Sequence, residues 1–124
     1  SSPDLEKYDS SENFLSTDWN LQHINNEKMS LSDTDKPIFI NIWATWCGPC
    51  RTELPSINSL YEKYKNGVEF ILVSPNESIE TLKEFAKDNN YKLPIYTAKD
   101  QTPSQLQTNS YPTTIIIDKN YPQL

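Results

Sequence analysis

The chain has 124 residues with a mean hydropathy of −0.70, and this length suits one compact domain. Seventeen acidic side chains outnumber eleven Lys and Arg, giving a net charge of −6. That balance argues against nucleic acid or an anionic membrane surface as a partner, because both require clustered positive charge. The two cysteines, Cys47 and Cys50, are too few for a disulfide-rich miniprotein. The uncharged and mainly apolar stretch at residues 37–50 is too short and too polar to cross a bilayer.

The negative charge is concentrated at the start of the chain, where residues 1–36 carry eight acidic and three basic side chains. Within this region, residues 1–14 are rich in Ser, Asp and Glu and contain few apolar side chains to bury. This composition predicts a flexible acidic tail at residues 1–14 and a single folded domain over residues 15–124.

Hydrophobic periodicity predicts alternating strands and helices in the folded domain. Trp19, Leu21 and Ile24 alternate with polar residues before an Asn-Asn-Glu turn, which predicts a hairpin that continues through Met29 and Leu31. The further elements are a strand at 38–43, a helix at 50–65, a strand at 68–73, a helix at 78–90, an extended segment at 93–96, a brief helix at 102–108 and a strand at 113–117. This order predicts an α/β fold in which right-handed crossovers place helices on both faces of a central sheet.

The apolar residues of these elements predict a core. The nearly continuous apolar run Ile38–Trp43 is typical of a central strand that is covered on both faces. We expect Trp19 and Trp43 in the core and His23 at the surface. In the helix at 50–65, one apolar stripe is predicted to face inward, formed by Leu54, Ile57, Leu60, Tyr61 and Tyr64.

Chemistry is concentrated in the segment Trp46-Cys47-Gly48-Pro49-Cys50, between the buried strand and the first long helix. Two cysteines three residues apart on a first helical turn are close enough to form a disulfide. Cys47 lies where unpaired backbone N–H groups and the helix dipole favour an anion, so its thiolate should be stabilised. Cys50 should be more buried. The pattern predicts a redox pair in which one thiol attacks and the other resolves.

Three other roles for the cysteine pair are weighed against redox chemistry. A zinc site needs two further ligands, but the chain has no third cysteine and its single histidine, His23, is distant in sequence. Haem attachment needs a histidine directly after Cys50, where Arg51 stands. Two buried structural cysteines are the third alternative. The strand–CxxC–helix context favours redox chemistry, with no metal and no cofactor beyond the Cys47–Cys50 disulfide itself.

The segment from Trp43 to Pro55, WATWCGPCRTELP, resembles the active-site segment of the thioredoxin superfamily. It is most similar to the TlpA/ResA/DsbE-like branch of extracytoplasmic thiol-disulfide oxidoreductases. The resemblance extends over about residues 18–118 and includes the hairpin before the central strand. It implies a thioredoxin-like α/β fold with a central mixed sheet flanked by helices and an N-terminal β-hairpin.

The resemblance also assigns roles to individual residues. It implies that Cys47 is the nucleophile, that Cys50 is the resolving thiol, and that Glu53 moves protons to or from the thiols. Burial of a carboxylate favours its protonated form, which suits this task. The alternative is that Glu53 only interacts favourably with the helix dipole. Pro55 matches the proline that bends the active-site helix of the family.

The substrate-binding surface is also implied by the resemblance. Tyr111-Pro112 matches the cis-proline loop of the superfamily, whose backbone pairs with the substrate chain like an added strand. The alternative is an ordinary trans proline at a strand entry. Trp46 is expected to form an exposed apolar rim, and Gly48 and Pro49 are expected to complete the surface beside the thiols.

The chain departs from the resemblance in two places. Thioredoxins proper carry a buried Asp where this chain has Asn41, and an amide cannot accept a proton, so Glu53 would act alone. Asn at this position is usual in the TlpA-like branch. The family fold continues after the strand at 113–117 with an edge strand and a helix, whereas this sequence stops at Leu124. We therefore expect the domain to be short at its C-terminal end.

The function implied is a thiol-disulfide oxidoreductase that reduces protein disulfides through a mixed disulfide on the Cys47–Cys50 pair. The Gly-Pro dipeptide between the cysteines is that of thioredoxin and favours the reducing direction. Expected partners are protein thiols or disulfides and an upstream reductase, which is expected to be membrane-bound if the protein is extracytoplasmic, with no nucleic acid. The expected location is extracytoplasmic, in a bacterial periplasm or anchored facing it, with the cytoplasm as second choice.

Two alternative functions are also considered. One is a redox-sensing or partner-binding thioredoxin-like module that does not turn over and docks through Trp46 and the Tyr111-Pro112 loop. The other is a peroxidase, but the peroxiredoxin pattern Pro-xxx-Thr-xx-Cys precedes neither cysteine.

Overall fold

The computed structural model describes residues 18–118 and contains one six-stranded mixed sheet. In chain order the strands are β1 (Asn20–His23), β2 (Lys28–Ser30), β3 (Ile38–Ile42), β4 (Glu69–Ser74), β5 (Ile95–Ala98) and β6 (Thr113–Ile117). Their order across the sheet is β2-β1-β5-β4-β3-β6. All five residues of β3 are buried, as the apolar run predicts for a central strand.

Two α-helices and two short 3₁₀ helices complete the described fold. Helix α1 (Gly48–Tyr64) follows β3, and α2 (Ile79–Asp88) follows β4. The 3₁₀ helices cover Leu31–Asp33 and Ser104–Leu106. The predicted elements are therefore all present, although α1 begins two residues earlier than predicted because Cys47 caps it, and the predicted helix at 102–108 forms only one 3₁₀ turn.

The sheet combines parallel and antiparallel pairing. Strand β4 is parallel to both of its neighbours, β3 and β5, whereas β6 is antiparallel to β3. The N-terminal hairpin forms as predicted, with Leu21 opposite Met29. It joins the sheet through β5, to which β1 is antiparallel. Asn26 supplies the positive φ of 78° that its turn requires, a conformation that Asn tolerates well.

Both α-helices lie on the same face of the sheet, which corrects the expectation of α-helices on both faces. Buried residues of α1 (Leu54) and α2 (Leu82) share one cluster with Phe70 and Leu72 of β4. The steps from β3 to β4 and from β4 to β5 go in one direction across the sheet, so right-handed crossovers place both helices on one side. The opposite face is covered by the two 3₁₀ helices, through Leu31 and Leu106, and by Trp19.

The two core tryptophans are confirmed, but part of the predicted helix stripe is wrong. Trp19 and Trp43 are fully buried. In α1, Leu54 and Ile57 are buried and Tyr61 packs edge-on against Phe70. Leu60 and Tyr64 are 41% and 46% exposed. At about 100° per residue, Leu60 points about 70° away from the centre of the buried stripe.

His23 is not the simple surface residue that was expected. It is half-buried at the end of β1, and its ring meets Tyr96 edge-on at a centroid distance of 4.9 Å. Its Nδ1 accepts a hydrogen bond from the backbone N–H of Asn25 at 3.0 Å. Burial lowers the pKa of His23 below its usual range, although Glu27 opposes this shift.

The predicted flexible tail at residues 1–14 and the last six residues of the chain lie outside the described residues. The expectation of a short C-terminal end is therefore still a prediction. Between residues 18 and 118, no helix combines the length and apolar character needed to span a membrane.

Candidate active site

The redox pair lies at the N-terminal end of α1, after the short loop that follows the buried strand β3. Cys47 is the residue that caps the helix, and its sulfur accepts the backbone N–H of Cys50 at 3.2 Å. The Sγ atoms of Cys47 and Cys50 are 2.33 Å apart and form a disulfide. Pro49 occupies the first turn of the helix, where its missing N–H has no intrahelical partner to lose. In the dithiol state, the same N–H and the helix dipole would stabilise a Cys47 thiolate.

Only the first cysteine of the pair lines the neighbouring cavity. Both cysteines are buried, Cys47 being 5% exposed and Cys50 2% exposed. Cys47 lies at the wall of a surface cavity of about 640 Å³, together with Trp46, Gly48 and Pro49. A Cβ built on Gly48 would meet no atom within 4 Å, so packing does not require glycine there. A substrate disulfide entering this cavity would meet Cys47 first.

A buried polar network lies below the cysteines. Glu53, on α1, is 8% exposed and accepts a hydrogen bond from Nδ2 of Asn41 at 3.3 Å. The same Nδ2 donates to the hydroxyl of Thr114 on β6 at 3.1 Å. Asn41 therefore links the carboxylate of α1 to the strand that follows the proline loop. Sequence reasoning named Asn41 and Glu53 but not Thr114, because the pairing of β3 with β6 is needed to bring it there.

The Tyr111-Pro112 loop lies beside the pair, as the resemblance implied. The Tyr111–Pro112 peptide bond is cis. The Tyr111 ring stacks on Trp46 with centroids 5.7 Å apart, and Trp46 is 69% exposed. Pro112 and Pro49 line a second cavity of about 500 Å³ with Glu53. All eight site residues named from the sequence thus lie in one region around the disulfide.

Sequence reasoning missed Glu77, which holds the loop that precedes Cys47. One carboxylate oxygen of Glu77 accepts the backbone N–H of Thr45 at 2.8 Å and the hydroxyl of Ser74 at 2.7 Å. The other accepts the hydroxyl of Thr45. The carbonyl oxygen of Thr45 in turn accepts from Nη1 of Arg51 at 2.8 Å. Because Glu77 is 32 residues from Thr45 in sequence, no local pattern indicates this contact.

We expect Glu77→Ala to lower the free energy of unfolding by about 2–3 kcal/mol, because it leaves the donors of Thr45 and Ser74 without their charged acceptor. The measurement is urea denaturation of the oxidised protein. The matched control is Glu80→Ala, which removes the same charge from the exposed first turn of α2 and should cost less than about 1 kcal/mol. Equal losses in the two variants would contradict a role for Glu77 in holding the loop.

No cluster of three or more His, Cys, Asp or Glu side chains suited to a metal ion occurs in the part of the chain that the structure describes. Two carboxylates lie near the disulfide: Glu53 in the buried network and, one loop away, Glu77. The arrangement combines a helix-capping cysteine, a second cysteine one turn inside, a buried carboxylate and an open cavity. Such a site is suited to thiol–disulfide exchange.

A model of the AhpC/TSA family matches residues 15–121, which include the whole described fold. The chain belongs to the AhpC/TSA family. Among named relatives, a thiol-disulfide oxidoreductase ResA from Bacillus cereus (strain ZK) is 38% identical over 113 residues, which cover 87% of this chain and 61% of ResA. The thioredoxin-like protein YneN from Bacillus subtilis (strain 168) is 34% identical, covering 82% of this chain and 62% of YneN. The chain thus spans about three-fifths of the length of these relatives.

Solved structures confirm the thioredoxin-like fold of this AhpC/TSA member. The exposed lipoprotein thioredoxin Etrx1 from Streptococcus pneumoniae strain TIGR4 matches with a TM-score of 0.68 and 25% identity, covering 83% of this chain and 82% of Etrx1. A DsbF homologue from Corynebacterium diphtheriae matches with a TM-score of 0.67 and 28% identity, covering 82% of this chain and 69% of the homologue. The resemblance read from the sequence is confirmed at the level of family and fold.

Proposed function

We propose that this chain is a thiol-disulfide oxidoreductase domain that reduces disulfides of protein substrates. The observation that carries the proposal is the Cys47–Cys50 disulfide at the start of α1, with Cys47 alone of the pair at the wall of an open cavity. The relatives named thiol-disulfide oxidoreductase support it. Trp46, Gly48, Pro49, Tyr111 and Pro112 form the surface that contacts substrate in this proposal.

The proposed reaction is a two-step exchange. The thiolate of Cys47 attacks one sulfur of a substrate disulfide, so that a Cys47–substrate disulfide forms and the other substrate sulfur leaves as a thiolate. Cys50 then loses its proton and attacks the Cys47 sulfur. The Cys47–Cys50 disulfide forms and the second substrate thiol is released. Two electrons pass from the pair to the substrate, which takes up two protons.

In this scheme Glu53 accepts the proton of Cys50 when the pair is oxidised. Its burial and its hydrogen bond to Asn41 support this assignment, since Asn41 cannot accept a proton from a thiol in its place. Glu53 also lines the cavity of about 500 Å³ beside Pro112, and in this proposal the proton leaves to solvent through that cavity. Glu53 is the general base and acid of the proposal.

We expect Glu53→Gln to reduce the exchange rate by about tenfold or more at neutral pH and to remove one limb of its pH profile, because glutamine keeps an acceptor oxygen for Asn41 but does not titrate. The measurement is the pH dependence of turnover with a small disulfide. Glu62→Gln, on the exposed side of α1, is the control for loss of charge. An unchanged profile in Glu53→Gln would limit Glu53 to a favourable charge on the helix.

Other parts of the proposal concern partners and location. Restoring the dithiol requires an upstream reductase. We place this reductase at a membrane and the domain itself outside the cytoplasm. The description of Etrx1 as an exposed lipoprotein thioredoxin supports that location.

The direction of electron flow is tested by the reduction potential of the Cys47–Cys50 pair. Alkylation and mass spectrometry across defined thiol buffers should give about −250 mV or lower, the range of reductants such as thioredoxin. A value of about −120 mV would make the pair an oxidant and overturn the proposed direction.

Reduction of insulin driven by dithiothreitol distinguishes an enzyme from a binding module. A chain that does not accelerate it would overturn the proposed activity.

A further inference from the structure

No step of the proposed reaction uses Thr114, although its hydroxyl belongs to the buried network below the cysteines. Thr114 lies on β6 directly opposite Asn41 of β3 in the antiparallel pairing of these strands. Thr114 is 7% exposed and Asn41 is 1% exposed. At this depth a lost hydrogen bond is not replaced by one to bulk water, so its loss has a measurable cost.

The amide nitrogen of Asn41 uses both of its hydrogens. Nδ2 donates to Oε1 of Glu53 at 3.3 Å and to Oγ1 of Thr114 at 3.1 Å. A primary amide nitrogen carries two hydrogens, so both are engaged by these contacts. Reversing the amide would place its carbonyl oxygen against Glu53, where two acceptors would face each other whenever Glu53 is ionised. The observed orientation is therefore the one that suits a carboxylate.

We propose that Thr114 is a positioning residue that holds the Asn41 N–H toward Glu53 and thereby favours the ionised carboxylate, the form that accepts the proton of Cys50. This inference rests on the proposed function and adds a residue to its proton-transfer step. Thr114 does not touch the reacting sulfurs in this scheme. It acts through Asn41 alone.

The cost of losing the Thr114 hydroxyl depends on the protonation state of Glu53. In the observed amide orientation, one N–H of Asn41 would have no acceptor. In the reversed orientation, the carbonyl oxygen would accept from a protonated Glu53, and only its second lone pair would lack a donor. A buried N–H without an acceptor is less tolerated in proteins than a carbonyl with one unused lone pair, so removing the hydroxyl shifts Glu53 toward its protonated form.

The groups around Glu53 determine how this effect is measured. The polar side chains that β3 and β6 contribute to the network, Asn41 and Thr114, do not titrate. On α1, Cys50 precedes Glu53 by three residues, which places the two on the same side of the helix, and its thiol titrates once the disulfide is reduced. The cavity beside Glu53 is otherwise lined by the uncharged residues Pro49, Thr52, Ser56 and Pro112. The pH dependence of exchange therefore contains the thiols as well as Glu53, and Glu53→Gln is needed to identify the part that belongs to Glu53.

The test is the pH dependence of turnover with bis(2-hydroxyethyl) disulfide in the wild-type chain, Thr114→Val, Thr114→Ser and Glu53→Gln. The limb of the profile that Glu53→Gln removes is the Glu53 limb. Thr114→Val keeps the shape of the side chain but not its hydroxyl, and it should move the midpoint of this limb to higher pH by about half to one unit, the worth of one hydrogen bond. Thr114→Ser restores the acceptor and should return the midpoint to the wild-type value.

Thr113→Val is the matched control on the same strand. Thr113 is also buried, but its hydroxyl contacts the hydroxyl of Thr108 and the carbonyl oxygen of Ser110 instead of Asn41. Its loss should leave the midpoint of the Glu53 limb unchanged, even where it lowers stability. A shift that appears only at position 114 then reports the contact with Asn41.

A double-mutant cycle tests whether Thr114 acts through Asn41. In a chain that already carries Asn41→Leu, the N–H that Thr114 holds is gone, so Thr114→Val should add no further shift of the Glu53 limb. Thr114→Ala also lacks the hydroxyl, and it takes the place of Thr114→Val in every comparison if the valine variant does not fold.

A midpoint that does not move in Thr114→Val, or moves equally in Thr113→Val, would overturn the positioning role while leaving the proposed activity intact. A shift that Thr114→Ser does not reverse, or that is undiminished in the Asn41→Leu chain, would also overturn it, because each indicates a disturbed strand. So would a profile that keeps all its limbs in Glu53→Gln, since no base would then depend on Thr114. A wild-type chain that does not turn over the small disulfide contradicts the proposed function itself, and this inference with it.

Discussion

Replacing Cys47 by serine is expected to lower disulfide exchange to the uncatalysed background, whereas Cys50→Ser should attack substrate once and stop as a stable mixed disulfide. Cys47 lines the cavity and caps α1, so its sulfur is the one that a substrate meets. A serine at position 50 cannot displace the substrate sulfur from Cys47. The measurement is turnover of insulin together with mass spectrometry of the trapped adduct under non-reducing conditions.

The two serine variants are controls for one another. Each removes one sulfur and the Cys47–Cys50 disulfide, so a difference between them reports the position of the nucleophile rather than the loss of the cross-link. Adducts on Cys47→Ser with none on Cys50→Ser would reverse the assignment. Adducts on neither variant would favour a module that binds without exchange.

Leu54→Ala is expected to lower the free energy of unfolding by about 3 kcal/mol, within the usual range for a fully buried leucine. Leu54 is 0% exposed and joins α1 to the sheet in a cluster that also contains both cysteines. The cavity left behind would lie next to the helix turn that carries the disulfide. Urea denaturation of the oxidised chain measures the loss, and we expect part of the thiol-exchange activity to be lost with it.

Leu60→Ala provides the matched control in the same helix. Leu60 is 41% exposed, so its truncation should change the free energy of unfolding by less than about 0.5 kcal/mol. An equal loss of unfolding free energy in Leu54→Ala and Leu60→Ala would show that Leu60 is buried in solution and that the stripe predicted from the sequence is correct.

Much of the fold was predictable because its strands are strongly apolar and its turns carry clear signals. The strand Thr113–Ile117 has the predicted bounds, and the run at 38–43 forms the interior strand β3, between β4 and β6. The cysteine pair was predictable for a different reason. The four-residue motif from Cys47 to Cys50, together with the strand before it and the helix after it, is enough to indicate a redox-active cysteine pair.

The parts that sequence reasoning missed depend on contacts between distant segments. Periodicity places Leu60 on an apolar stripe but does not say how wide a strip of the helix the sheet covers. The face on which α2 lies depends on the strand order. The crossover from β4 to β5 continues across the sheet in the same direction as the crossover from β3 to β4, so α2 lies on the same face as α1. The anchoring of Thr45 by Glu77 has no local signature at either residue.

The place of β5 between β1 and β4 also determines when this sheet can be completed as the chain is synthesised. The hairpin of β1 and β2 is made first, but Leu21 must wait for Ala98 before β1 gains its second neighbour. An isolated two-stranded hairpin is marginally stable in water. We therefore expect assembly to proceed outward from β3, α1 and β4, which are contiguous in sequence, with the hairpin of β1 and β2 docking only after residues 95–98 have emerged.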